Sequence, residues 1–152
     1  MNLQEELKAL KERIAELEKQ VEREKEFPQE DDMFWFINTF GKPVWSTWGE
    51  SITNRQLIEI GNMFRTKEQA EFAVEKLKVE AELRKFSRPF EYGKANYCLL
   101  FDIDGNSFRT DFTSYCPPQG SIQFESEEKA QEAVSTVGKE RIKKYLFGVE
   151  DL

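Results

Sequence analysis

Apolar residues near the N-terminus recur at the spacing of a coiled-coil helix. The intervals between them are 4, 3, 4, 3 and 4 residues, which is a heptad pattern. Leucine stands at every d position and β-branched residues at two of the three a positions, a choice that favours a two-stranded parallel coil. We predict an oligomerisation helix over residues 1–26, whose contacts with a second copy are made by Leu3, Leu7, Leu10, Ile14, Leu17 and Val21.

We call these six a and d side chains the seam of the helix. The charged residues that flank the seam favour a parallel pair of helices. Glu6 would meet Lys11 of the partner helix, and Arg13 would meet Glu18, so both contacts attract. An antiparallel pair centred on the seam would set Arg13 against its own copy. The alternative is an amphipathic helix that folds back on its own body. Because three heptads are marginal alone, we expect the body to add to the interface.

Beyond a short linker at residues 27–32, two aromatic stretches predict β-hairpins. "MFWFINTFGKPVWSTW" turns at Gly41–Pro43, and "NYCLLFDIDGNSFRTDF" turns at Asp104–Gly105. The body over 33–152 therefore contains antiparallel sheet.

Nearly the same phrase then follows each hairpin. "FRTKEQAEFAV" begins at Phe64 and "FESEEKAQEAV" begins at Phe124, sixty residues later. Thr66 with Gln69 predicts a capping box, and Ser126 predicts a second cap, so each phrase takes a strand end into a helix. We predict a ββ(β)α unit used twice, an internal pseudo-repeat at about 33–87 and 96–138. The fold class is α+β, with a coiled-coil helix ahead of a compact body of packed helices and sheet.

The helix predicted over 67–86 is apolar on two opposed faces. A small face of Ala70, Ala73, Val74, Leu77 and Ala81 suits the body's own sheet. The opposite, bulky face needs another cover, either the last helix over 139–147 or another subunit. It is therefore a second candidate for oligomerisation: Phe72, Val79, Leu83 and Phe86.

Composition and net charge argue against several classes of function. The net charge is −7, so non-specific binding to nucleic acid is not expected. No apolar run approaches the length of a membrane span, and Cys98 and Cys116 make no disulfide framework. The chain has no histidine, which removes serine–histidine and cysteine–histidine nucleophiles and the usual zinc sites. We expect a cytoplasmic protein that is not an enzyme and uses no metal and no cofactor.

Aromatic, arginine and asparagine residues form the candidate ligand set. Such side chains can stack a base and hold phosphate oxygens. Part of the set lies in "STWGESITNR" (residues 46–55), which we predict to be a long polar loop, and functional residues concentrate on such loops. Alternatively, the tryptophans belong to the core and the arginines to the surface. The candidates are Trp48, Asn54, Arg55, Asn62, Arg109 and Tyr115.

Two segments resemble a group of small accessory proteins from phages and prophages of Gram-positive bacteria. They are "IGNMFRTKEQAEFAVEKLKVEAELRKF" (60–86) and "IQFESEEKAQEAVSTVGKERIKKYLFGVE" (122–150), and the resemblance covers about residues 33–150. It implies a counter-defence role in the host bacterial cytoplasm. One such role is an oligomeric sponge that binds a cyclic-nucleotide immune signal without cleaving it.

On that expectation, Trp48 or Tyr115 stacks bases, Arg55 and Arg109 pair phosphates, and Asn54 and Asn62 read polar edges. Two alternatives stay open. One is a protein–protein inhibitor of a host defence effector, similar in mode to anti-CRISPR proteins. The other is a structural adaptor that dimerises through its coiled coil.

Overall fold

Helices alternate with β-hairpins in the structure, a computed structural model that describes residues 2–24 and 26–150. The predicted α+β class, with its N-terminal helix, is confirmed. The elements in chain order are α1 (Leu3–Glu24), β1 (Met33–Ile37), β2 (Pro43–Thr47), α2 (Ile52–Glu59), α3 (Lys67–Arg84), β3 (Asn96–Asp102), β4 (Ser107–Thr113), α4 (Glu127–Val137) and α5 (Lys139–Tyr145).

The chain divides into two compact units. Unit 1 holds the residues up to Phe36 together with Trp45–Arg65, and unit 2 holds Ile37–Val44 and the residues from Thr66 onward. The linker over 27–32 and the internal pseudo-repeat stay predictions. Four positions of the predicted ranges lie outside the described residues: Met1, Lys25, Asp151 and Leu152.

Helix α1 begins with a capping box. The side-chain Oδ1 of Asn2 accepts the backbone N–H of Glu5 at 2.9 Å, and the Glu5 carboxylate accepts the N–H of Asn2 at 3.1 Å. All six seam side chains are exposed, from 43% at Leu17 to 83% at Leu3. The fold-back alternative would cover these side chains, and in this structure they are not covered.

Both hairpins form where the aromatic stretches predict them, and each has the repeated phenylalanine beside it. Phe64 and Trp35 exchange two backbone hydrogen bonds of 2.8 Å, and Phe124 and Tyr97 exchange two of 2.8 and 2.9 Å. Two residues later in each phrase, a hydroxyl caps a helix. Thr66 accepts the N–H of Gln69 in a full capping box. Ser126 accepts the N–H of Lys129 at the start of α4.

Unit 2 is built around one apolar core between its helices and the β3–β4 sheet. Helix α4 contributes small residues that let it approach β3 closely, and α3 and α5 pack against α4 and against each other. The sheet presents Tyr97, Leu99 and Phe108 to this core. The core cluster consists of Val79, Leu83, Phe124, Ala130, Ala133, Val137 and Ile142.

The bulky face of α3 is covered by the chain's own last helix. Val79 and Leu83 are fully buried beside Ile142 of α5, and the Phe72 ring lies 5.0 Å from the ring of Tyr145. Val79 and Leu83 therefore cannot contact another subunit in this fold. The other face is covered only in its first half, because Ala70 and Val74 are buried whereas Leu77 and Ala81 are exposed.

A buried asparagine organises the loop that leads into β3. The side chain of Asn96 is fully buried and makes five hydrogen bonds. Its Oδ1 accepts the Arg88 guanidinium at 2.6 Å and the N–H of Glu91 at 2.8 Å. Its Nδ2 donates to the carbonyls of Glu91, Lys94 and Thr113 at 2.8–3.1 Å. The amide thus takes the place of backbone pairing that an irregular loop cannot supply.

Replacing this amide should destabilise the protein strongly. We expect Asn96→Ala to lower the free energy of unfolding by about 3 kcal/mol, because it leaves buried carbonyls without donors. Urea unfolding followed by circular dichroism measures the loss. Ser107→Ala, at the exposed far end of the strand pair, is the matched control and should change stability by less than about 0.5 kcal/mol. Equal stability of the two variants would contradict the role given to Asn96.

An ion pair joins α3 to α5 at the edge of the core. Arg141 donates to both carboxylate oxygens of Glu82, at 2.7 and 3.0 Å. The hydrogen bond from Arg141 is the main cause that lowers the pKa of Glu82 below its usual value. Both side chains are more than a third exposed, so solvent weakens the pair.

The lowered pKa gives this pair a defined pH dependence. A carboxyl whose folded-state pKa is depressed stabilises the fold above its unfolded pKa of about 4.3, and the contribution is lost as the pH falls further. We expect Glu82→Gln to be less stable than the parent by about 0.5–1 kcal/mol at pH 7, with the gap closing at acid pH. Glu71→Gln, whose partner Lys67 is 3.7 Å away, serves as the control in the same helix. A gap that persists unchanged at acid pH would contradict the assignment.

Candidate ligand-binding site

The six predicted ligand residues are shared between the two units. Trp48, Asn54, Arg55 and Asn62 belong to unit 1, and Arg109 and Tyr115 belong to unit 2.

Trp48 packs against the interior of unit 1. Its ring meets the fully buried Phe34 ring edge-on, with centroids 6.5 Å apart. Its backbone is held as well, since its N–H donates to the carbonyl of Asp32 at 2.7 Å and its carbonyl accepts the N–H of Asp31 at 3.2 Å. Trp48 is therefore half-buried and positioned by the fold, whereas Trp45 is 60% exposed, so the alternative that assigned the tryptophans to the core does not hold for both.

The predicted polar loop over 46–55 is wrong. Ser46 and Thr47 complete β2, and α2 starts at Ile52, with Ser51 as its N-cap. Asn54 lies in the first turn of this helix, where its N–H donates to Ser51 Oγ at 3.1 Å and its Nδ2 donates to the carbonyl of Gly49 at 3.0 Å. The helix has eight residues and buries none of them, so it lacks the long apolar stripe of a helix that packs on a core.

Asn62 stands where α2 stops. Its N–H donates to the carbonyl of Leu57 at 2.9 Å, and the N–H of Gly61 donates to the carbonyl of Ile58 at 3.1 Å. This is a Schellman motif, and Gly61 adopts the φ of +73° that the motif requires. The backbone of Asn62 thus takes part in the termination of α2.

Arg55 is the one cation among the four candidates of unit 1, and its side chain is exposed. Its guanidinium forms an ion pair with Glu50, and the side chain is 64% exposed. Exposed pairs of this kind contribute little to stability, because water and salt screen them. The Glu50 carboxylate therefore holds the Arg55 guanidinium only weakly.

Arg109 and Tyr115 lie apart from each other in unit 2. Arg109 is exposed in the middle of β4, opposite Leu100, and Tyr115 follows the end of that strand. Thr113, the strand's last residue, lies four positions beyond Arg109, which is about 13 Å of strand. Arg109 and Tyr115 are therefore not adjacent along the strand.

Tyr115 has an aromatic neighbour that sequence reasoning missed. Tyr92 packs edge-on against it with ring centroids 5.1 Å apart, and both rings are largely exposed. The loop before β3 brings Tyr92 there, since the N–H of Gly93 donates to the carbonyl of Ser114 at 2.9 Å. No residue pattern links positions 92 and 115, because the contact depends on how the two loops close.

Other chemistry-bearing groups give no further site. Burial, and then the Asp111 carboxylate, raise the pKa of the Cys98 thiol, which favours its unreactive protonated form. Within residues 2–24 and 26–150, acidic and cysteine side chains nowhere gather in a group that could hold a metal ion.

Unit 2 has clefts of about 660, 440 and 230 Å³, and neither Arg109 nor Tyr115 lines any of these three. Among the described helices, none is both long enough and apolar enough to cross a membrane.

Comparisons with known proteins leave the identity open. No family model matches the chain, and neither the curated proteins nor the solved structures contain a match. The resemblance to phage accessory proteins therefore stays a hypothesis.

The structural role of Trp48 can be measured. We expect Trp48→Ala to lower the free energy of unfolding by about 2 kcal/mol, because it removes an aromatic contact with the buried Phe34. Urea unfolding followed by circular dichroism is the measurement. Trp45→Ala is the matched control, since that ring is 60% exposed, and it should cost much less. If Trp45→Ala costs as much as Trp48→Ala, the packing role of Trp48 is wrong.

Proposed function

We propose that the protein is a counter-defence factor of a phage or prophage that binds a cyclic-nucleotide immune signal in the host bacterial cytoplasm and sequesters it without catalysis. The observation that carries this proposal is the exposure of the two arginines of the ligand set. Arg55 pairs only weakly at the surface with Glu50, and Arg109 is exposed on a strand. Guanidinium groups in such positions are available to bind phosphate oxygens in pairs.

Aromatic surface supports the same proposal. Tyr115 and Tyr92 form an exposed edge-on pair, and such rings can take a base by stacking. Within unit 1 the proposal assigns a phosphate contact to Arg55, and within unit 2 it assigns a phosphate contact to Arg109 and a stacking contact to Tyr115. Trp48 of unit 1 is the alternative stacking residue of the proposal, and Asn54 and Asn62 are assigned to polar edges of the ligand.

A second candidate function is inhibition of a host defence protein by direct docking. Unit 1 exposes several large apolar side chains, and exposed apolar surface in a folded protein often marks a partner site. Those more than half exposed outside α1 are Met33, Trp45, Ile52 and Ile60. A protein partner would bury these residues, whereas a nucleotide would not need them.

Thermal unfolding against a panel of cyclic dinucleotides, cyclic trinucleotides and cyclic ADP-ribose isomers tests the first candidate. A ligand at 100 times its Kd stabilises the fold by about 2.7 kcal/mol, which should raise the Tm by about 5 °C or more. We expect Arg55→Ala/Arg109→Ala to abolish that rise, because the phosphates lose their partners. Arg84→Ala, at an exposed arginine of α3, is the matched control and should keep the rise.

Two outcomes would overturn the nucleotide proposal. One is a flat panel, and the other is a rise that survives in the double arginine variant. A flat panel combined with loss of host-protein capture in Trp45→Ala/Ile60→Ala would support docking instead.

A further inference from the structure

Helix α1 leaves a complete apolar seam exposed along its length. Every a and d side chain from Leu3 to Val21 is between 43% and 83% exposed. Leucine, isoleucine and valine side chains in such a continuous row are rarely left in water, because covering them stabilises the protein. The seam therefore needs a partner from outside the chain.

The charges beside the seam indicate what that partner is. In a parallel, in-register pair of α1 helices, Glu6 faces Lys11 of the other copy and Arg13 faces Glu18, so each contact is attractive and occurs twice. Arg13 also has an exposed pair with Glu16 in its own helix, at 3.1 Å. That pair is worth too little to prevent the contact with Glu18 of a second copy.

An antiparallel pair has the opposite electrostatics. When Leu7 packs opposite Leu17 and Leu10 opposite Ile14, Lys11 faces Lys11 of the other copy and Arg13 faces Arg13. Glu6 then faces the neutral Gln20. The antiparallel arrangement thus has two like-charged contacts and no ion pair between seam-flanking residues.

We propose that α1 is a homodimerisation helix that pairs in parallel and in register with α1 of a second copy of this chain. The partner is a copy because the chain's own charges complement each other across the seam in this one orientation. The dimer stands apart from the ligand proposal, since it uses no residue of unit 2 and none of the candidate ligand residues.

The parallel orientation has a consequence for binding. Both copies leave the coiled coil at the same end, at Glu24, so two bodies are tethered side by side. Tethering raises the effective concentration of the second body for any partner that offers two sites. Three heptads form a weak coiled coil, so we expect dissociation in the micromolar range and a mass that depends on concentration.

Sedimentation equilibrium of the full chain tests whether α1 dimerises it. The parent should shift from monomer to dimer with rising concentration. We expect Ile14→Lys to raise the dissociation constant at least about tenfold, because it places a charge at the centre of the seam. Ala15→Lys adds the same charge one residue away on the outer face, and it should leave the dissociation constant within about threefold of the parent. A parent that stays monomeric to about 1 mM, or equal weakening by both variants, would overturn the proposal.

Cysteine cross-linking tests the orientation. In a Cys116→Ser background, two Leu3→Cys chains meet in the parallel dimer and should form a disulfide under mild oxidation. In the antiparallel pair, position 3 lies about 27 Å from position 3 of the other copy and close to its position 21. Glu5→Cys on the outer face is the control that reports collisional cross-linking. A dimer in which Leu3→Cys cross-links no faster than Glu5→Cys would overturn the parallel arrangement.

Exchanging charges tests the reason for the orientation. We expect Glu6→Lys to weaken the dimer about fivefold, because two attractive contacts become repulsive. Glu6→Lys/Lys11→Glu should recover the parent's affinity in the parallel pair. In the antiparallel pair the double exchange would still leave like charges opposed at position 11, so failure of the recovery contradicts the proposal.

Discussion

Unit 2 depends on the placement of one side chain, that of Phe124. It is fully buried in the core, and its backbone forms two hydrogen bonds with Tyr97 at the edge of the β3–β4 sheet. Two residues later Ser126 caps α4, so the same short segment sets where the helix starts. Because the sheet edge, the helix start and the core meet within three residues, a shift of Phe124 would displace all of them. The position of Phe124 thus couples the edge of the sheet to the start of α4.

Helix α5 completes that core. The turn that leads into it needs a backbone conformation that glycine adopts easily. Gly138 ends α4 and immediately precedes α5, and its φ is +108°. A Cβ at this position would meet only the Arg141 side chain at an ordinary contact distance, so the backbone conformation and not space favours glycine. The turn brings Ile142 onto Val79 and Leu83, and the ion pair between Arg141 and Glu82 aligns the helices at the rim. Burial supplies most of the stability there, and the ion pair adds a small, directional contribution.

Unit 1 has the opposite character, because much of its apolar surface is exposed. The α1 seam and residues such as Ile52 and Ile60 face outward. A protein keeps such surface when something else covers it. The proposed dimer covers the seam, and the remaining apolar surface of unit 1 is what a docking partner would use. The exposed arginines and tyrosines are what a nucleotide would use. The two candidate functions overlap in unit 1, where Arg55 lies in the same helix as Ile52, and differ in unit 2, where only the nucleotide proposal uses side chains.

Local patterns in the sequence determined the regular elements of this protein. The heptad spacing of α1, the two hairpins with their turns and the caps at Thr66 and Ser126 rest on interactions within a few residues, and each is present in the structure. Helix α2 was missed because it has only eight residues and buries no side chain, so it shows no long apolar stripe. Site prediction from the sequence was correspondingly limited. It identified side chains able to bind a nucleotide, but not that Trp48 packs on Phe34 or that Asn54 holds a helix start.

Which helix covers α3, and which tyrosine meets Tyr115, depended on contacts between residues far apart in the chain. Only the tertiary structure decided these contacts. Whether a side chain is buried depends on all of its neighbours in space, and a short stretch of sequence does not contain them.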